Sequence, residues 1–169
     1  MTTAKTVQEI LVPLTDYPHM PFWFSVRQAI TMLELAADEV AERPPRMVLV
    51  FDEKYQLLGT LGLEEILRGL EPRYLDAVSH AQGYVAPSEE LAVLWADSDA
   101  CREASSRQVQ EVMRPIKSTV SLGDSVTRAA VAMLADGAGV VPVMDGLKVA
   151  GVVRLEDVYQ AITSSVMNG

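Results

Sequence analysis

An internal repeat constrains this chain more than any other feature, because both copies have to build the same supersecondary unit. The second copy, Val109 to Ile162, is the easier to read. VQEVMRP opens as a short helical turn that Pro115 stops, since proline has no N–H to continue the ladder. Ser118 to Val120 then gives a short extended piece. Ser125 is placed to cap the next helix, in which Val126, Ala129, Ala130, Met133 and Leu134 recur at i, i+3, i+4, i+7 and i+8 as one apolar stripe. Gly137 lies just past its end, the usual place for a left-handed residue. VVPVM, the turn Asp145-Gly146 and KVAGVV predict two strands joined by a tight connection. LEDVYQAI starts a second helix, with Glu156 and Asp157 in the first turn, where the helix dipole favours carboxylates. The unit is β-α-β-β-α.

The same order runs from the start of the chain. Val7-Gln8-Glu9-Ile10 matches Val109-Gln110-Glu111-Val112, and Pro13 takes the place of Pro115. Ser25 to Leu33 lies over Ser125 to Met133, with Gln28 at capping-box spacing from Ser25. Met47 to Phe51 pairs with Val140 to Met144, Leu57 to Leu61 with Val149 to Val153, and Leu63-Glu64-Glu65-Ile66 with Leu155-Glu156-Asp157-Val158. The first copy has a longer opening path, LTDYPHMPFWF, and a longer first helix that runs toward Glu42 before Pro44 and Pro45 force extension. Phe22, Trp23 and Phe24 on that path read as hydrophobic fill or a partner-facing patch rather than a stacking platform, and His19 as a loop residue.

Three segments result: a first repeat at 7–70, a helical connector at 71–108 and a second repeat at 109–165. In the connector, Pro72 suits a helix start that Gly83 ends, and Ser88 suits the cap of a helix carrying Leu91, Leu94, Trp95, Ser98, Cys101 and Ala104 on one side. Cys101 on that stripe reads as a buried, inert thiol.

VMRP at 112–115, the Ser125–Leu134 helix, VVPVMDG at 140–146 and GVVRLEDV at 151–158, in this order, resemble the CBS domain (the cystathionine-β-synthase motif). The resemblance implies an α+β fold of two β-α-β-β-α repeats packed as a pseudo-two-fold pair, a Bateman module, with the helical segment inserted between them. It also implies clefts between the repeats that commonly hold AMP, ADP, ATP or S-adenosylmethionine, and a homodimer formed through the helices of the repeats.

In nucleotide-binding members of that family, a Thr or Ser three residues before an Asp supplies the hydroxyl and carboxylate that meet the nucleotide. An acceptor-only carboxylate suits the two ribose hydroxyls. In the second copy Asp157 fills the acidic position and Arg154 stands in the Thr/Ser place; in the first copy Gly62 and Glu65 hold both. Arg154 has two readings: a planar fork for phosphate or carboxylate, or an ion-pair partner for Glu156 or another nearby carboxylate. Asp157 likewise is either the ribose ligand or an ordinary first-turn acid. By the same resemblance Pro142 and Val141 wall a base pocket, unless they are only core strand, and Val120 and Thr119 offer backbone groups to a base edge.

Composition bounds the rest. The chain has 169 residues, 49% of them hydrophobic, which is enough for a real core. Its net charge of −9 argues against a nucleic-acid surface, which needs clustered Lys and Arg. One cysteine allows no internal disulfide, and two histidines leave no zinc cluster. No secretory signature opens the sequence and no apolar run approaches the roughly 20 residues of a membrane span, so a cytoplasmic protein is expected. There is no nucleophile elbow, HExxH or phosphate loop. The expected function is therefore a non-catalytic module that senses a small molecule, an adenosine-containing one, and signals to an unidentified protein partner. The alternative is a ligand-free dimerisation or protein-interaction module.

Overall fold

The computed structural model describes residues 5–39, 44–70 and 98–169. The connector positions from Pro72 through Trp95, and the far end of the first helix at Glu42, lie outside the described residues. In chain order the elements are β1 (Val12–Pro13), β2 (His19–Pro21), α1 (Val26–Glu39), β3 (Met47–Phe51), β4 (Leu57–Gly62), α2 (Leu63–Leu70) and α3 (Ser98–Ala104). They continue with β5 (Arg114–Pro115), β6 (Val120–Ser121), α4 (Val126–Asp136), β7 (Val140–Asp145), β8 (Lys148–Arg154) and α5 (Leu155–Met167). The class is α+β, with two four-stranded sheets ordered β1-β8-β7-β6 and β2-β3-β4-β5.

The chain divides into two compact units that alternate along the sequence. A terminal unit gathers the residues up to His19, Lys54–Leu57 and Ile116–Gly169, and a central unit gathers Met20–Glu53 and Leu58–Pro115. The opening segment of the first repeat therefore belongs to the terminal unit, and that of the second repeat to the central unit. Sequence repeats and compact units partition the chain differently.

In the terminal unit, β7 and β8 form the expected antiparallel hairpin, with Asp145 opposite Lys148 and Gly146 at φ 63° in the turn. β6 joins parallel to β7, and β1 joins antiparallel to β8 with Val12 opposite Val152. Ser125 caps α4, its Oγ accepting from the Arg128 N–H at 3.2 Å, and Gly137 ends it at φ 62°. Val126, Ala129 and Met133 face the core, but Leu134 is 77% exposed. Eight residues carry Leu134 about 80° round the helix from Val126, so it falls off a narrow buried strip.

The opening segment completes this unit. The Val7 N–H donates to the Asp124 carbonyl at 2.8 Å, the Gln8 N–H to Leu122 at 3.2 Å, and the Val126 N–H to Lys5 at 3.0 Å. Val7 is fully buried in the core with Val141, Val143, Val153 and Val158, worth roughly 1.5–3 kcal/mol for such a side chain.

The central unit repeats the device with residues 107–115. The Val109 N–H donates to Phe24 at 2.7 Å and the Val26 N–H to Arg107 at 2.9 Å, and Val109 is fully buried among Val26, Val48, Val50 and Leu61. The helical turn expected from VQEVMRP ends at Glu111, and Pro115 instead lies in β5, opposite Gly59 of β4. α1 starts with the expected reciprocal cap: the Ser25 N–H donates to Gln28 Oε1 at 2.8 Å, and the Gln28 N–H to Ser25 Oγ at 3.2 Å. Phe22 and Phe24 pack on this core, while Trp23 is 48% exposed, its ring edge-on to Phe22. His19 opens β2 rather than lying in a loop; its Nδ1 is 2.9 Å from the Tyr17 carbonyl oxygen and its ring stands edge-on to Tyr55. Cys101 is half-buried on α3.

Candidate functional site

Strand β8 runs into α5 without a loop, so Arg154, the last strand residue, is also the residue flanking the helix start. Asp157 lies three residues on, one helical turn above it. Arg154 Nε donates to Asp157 Oδ2 at 2.8 Å, and Glu156 Oε1 lies 3.7 Å from the same nitrogen. Both side chains of the closer pair are mostly covered, at 21% and 15% exposure. Low exposure weakens solvent screening and strengthens this hydrogen bond.

The pair stands on the wall of a cleft of about 420 Å³ in the terminal unit. Asp157, Gln160, Ala161 and Ser164 of α5 line one side, spaced i, i+3, i+4 and i+7 so that they share a helix face. Lys5, Glu9 and the apolar run Ile10-Leu11-Val12 line the other. Glu9 is held by the turn it belongs to, its Oε2 accepting from the Thr6 N–H at 2.6 Å. The cleft thus joins residues far apart in sequence, because the opening segment is bound to β8 and to the start of α4.

Of the residues singled out in the sequence, Arg154 and Asp157 come together on this cleft. Val120 and Val141 are buried in the core of the same unit, Pro142 is buried on β7, and Thr119 is exposed just before β6; none of these four lines the cleft. Lys5, Ile10, Gln160 and Ser164 were not singled out. Helical spacing from Asp157 points to Gln160 and Ser164, whereas Lys5 and Ile10 carry no local signal.

Tyr17 is buried in the same unit, and burial pushes its hydroxyl above the ordinary 10.0; Arg154 pulls it back and Glu156 adds to the rise. The fold favours neutral Tyr17, a contribution that is whole below the unfolded value near 10 and lost as pH climbs above it. Tyr17→Phe is expected to remove a loss of order 1 kcal/mol per pH unit above about pH 10. Thermal melts of both proteins from neutral to alkaline pH check this, and parallel slopes would refute it.

The central unit answers the same positions differently. Glu65 of α2, aligned with Asp157, is buried; its Oε2 accepts from the Gly62 N–H at 2.8 Å and its Oε1 meets Arg114 Nε at 3.1 Å. Arg114 also approaches Glu64 at 3.7 Å. Gly62 aligns with Arg154 and Arg114 with Val12, so each unit has one arginine on its carboxylate, delivered from opposite sides. In the central unit α2 presses on the opening segment: a Cβ at Gly69 would come within 2.7 Å of the Val112 side chain. Among the described residues no group of three or more His, Cys, Asp or Glu is placed to hold a metal, and no helix is long and apolar enough to cross a membrane.

Residues 109–164 match the family model of the CBS domain. No curated protein matches the sequence. Among solved structures, CBSX2 in complex with AMP is similar at TM-score 0.63 and 18% identity, covering 95% of this chain and 98% of its own. The cytosolic domain of the Mg2+ channel MgtE in complex with ATP is similar at TM-score 0.61 and 20% identity, covering 92% and 48% respectively. A CBS domain-containing protein of unknown function from Bacillus anthracis str. Ames Ancestor is similar at TM-score 0.66 and 12% identity, covering 95% and 94%. At these identities the likeness is one of fold.

Proposed function

From a chain that carries a CBS domain at residues 109–164 and has the fold of CBS-pair proteins, we propose a non-catalytic regulatory module that binds an adenosine-containing ligand in the cleft of the terminal unit. The observation that carries this reading is Asp157 on the cleft wall, facing an apolar strip across a space of about 420 Å³. That volume lies within the usual range for small-molecule sites. The carboxylate suits a ribose diol, Ile10 to Val12 suit a base, and Lys5 with Arg154 suit a phosphate. Two of the similar proteins were solved with AMP and with ATP, which favours an adenine nucleotide here.

Signalling follows from the way the cleft is built. One wall is an opening segment docked on the unit by the short β1–β8 pairing, a few backbone bonds and the buried Val7, so a ligand touching both walls tightens that segment onto the unit. A ligand that binds the closed arrangement better shifts the population toward it. The reading includes a cytoplasmic location, an unidentified protein partner and a homodimer.

The apolar residues left exposed on α4 and α5, among them Val131, Leu134, Tyr159 and Val166, favour the homodimer and also the second reading, a dimerisation module without ligand. Calorimetric titration with AMP, ADP, ATP and S-adenosylmethionine separates the two. Saturable binding is expected at one site per chain, because Glu65 in the central unit already has both oxygens engaged. Asp157→Ala is expected to weaken it at least roughly tenfold, the worth of a charge-assisted hydrogen bond. No heat from any of the four, in protein that melts sharply and dimerises by light scattering, leaves the dimerisation module.

A further inference from the structure

We propose that Arg154 makes the terminal-unit cleft selective for adenosine ligands that carry a phosphate, bridging Asp157 on one edge of its guanidinium and the phosphate on the other. This rests on the adenosine-ligand reading above and narrows it to nucleoside phosphates, against adenosine and S-adenosylmethionine.

The central unit offers the comparison of an arginine paired with a buried carboxylate. Arg114 reaches Glu65 from the edge strand, a backbone N–H takes the other oxygen, and the neighbouring Glu64 takes a share of the charge. In the terminal unit the arginine comes instead from the strand end on the cleft wall, in the position where the family resemblance expects a small hydroxyl. Glu156, 3.7 Å from the Arg154 Nε, takes a share of its charge as Glu64 does of that of Arg114, but the hydrogen bond of Arg154 to Asp157 uses Nε alone. The two amino groups, with four of the five guanidinium donors, make no hydrogen bond among the described residues. Lys5 lies on the same cleft.

A neutral nucleoside gains nothing from those donors. A phosphate accepts from them while Asp157 keeps Nε, so the guanidinium is shared between two anions rather than pulled off one. S-adenosylmethionine can offer those donors its carboxylate, but it brings a sulfonium and an ammonium toward Arg154 and Lys5, and this net positive charge opposes what the carboxylate gains. The chain as a whole carries −9, which disfavours anions at long range, so discrimination has to come from these local donors.

The test is a set of titrations of the full chain with AMP and adenosine, at low and high salt, for the wild type, Arg154→Gln and Arg154→Lys. Wild type is expected to prefer AMP over adenosine by at least about 30-fold, as two charge-assisted hydrogen bonds allow. Arg154→Gln is expected to close that gap to within about threefold by weakening AMP alone. Arg154→Lys, which keeps the charge but not the fork, should retain part of the gap. Equal wild-type affinities, or a proportional loss of AMP and adenosine in Arg154→Gln, would overturn the selectivity while leaving the adenosine site intact. Binding of neither probe overturns both. If Arg154→Gln does not fold, the Arg154→Lys gap and its salt dependence decide: a gap as wide as in the wild type at every salt concentration refutes the role of the fork.

Discussion

Gly151→Ala is expected to lower the melting temperature by roughly 10 °C, corresponding to about 3 kcal/mol or more. A Cβ at this position would stand 2.0 Å from the Val12 carbonyl oxygen and 3.0 Å from Pro13 Cα. These are main-chain atoms of β1, so no rotamer change relieves the clash and the strand itself has to leave the β8 edge. Overpacking alone costs about 1–3 kcal/mol, and the displaced segment also takes Val7 from the core. The same displacement carries Ile10 to Val12 off the cleft, so ligand affinity should fall with stability. Gly123→Ala is the control, since a Cβ there meets nothing within 4 Å. Differential scanning calorimetry of the two variants decides the matter; equal melting temperatures would mean that β1 is not packed as described.

Arg114→Met should cost roughly 3 kcal/mol, the low end for removing one partner of a buried ion pair, because Arg114 is itself a third exposed. The loss comes from Glu65, a buried carboxylate left with the Gly62 N–H as the surviving bond of the two described for it. Glu65→Gln retains an acceptor for that N–H and needs no cation, so it should cost much less by itself. Combined with Arg114→Met it should recover a large part of the stability, with a coupling energy above about 1 kcal/mol in a double-mutant cycle. Additive losses in urea melts would show that Arg114 contributes by packing its stem and not by its charge.

Element type was legible wherever local chemistry decided it. Ser125 and Gly137 bound α4 because a hydroxyl cap and a left-handed residue are local requirements, and the β7–β8 hairpin follows from two apolar runs either side of the Asp145-Gly146 turn. Burial was less legible at the margins. Leu134 belongs to the apolar pattern and still faces solvent, because the buried strip of α4 is narrower than that pattern. Pro115 looks like a stop and is a strand residue, because an edge strand tolerates a missing N–H.

The candidate site was half legible. Arg154 and Asp157 are three apart at a strand-to-helix junction, and their meeting is a short-range consequence of helical geometry. Lys5 and the Ile10–Val12 run reach the same cleft only through pairing with residues more than a hundred positions away.

By itself the sequence determined that the chain holds two copies of one β-α-β-β-α unit and where their strands, caps and turns fall, since these depend on neighbours within a few residues. Which sheet each opening segment completes was decided by the tertiary structure alone. VQEILVP and VQEVMRP share the same buried valine, turn-closing glutamate and terminal proline, and Gly59 and Gly151 each leave room for a strand at close approach. Local energies therefore do not distinguish the two pairings. The choice rests on long-range packing, which sets Val7 in the terminal core and Val109 in the central one.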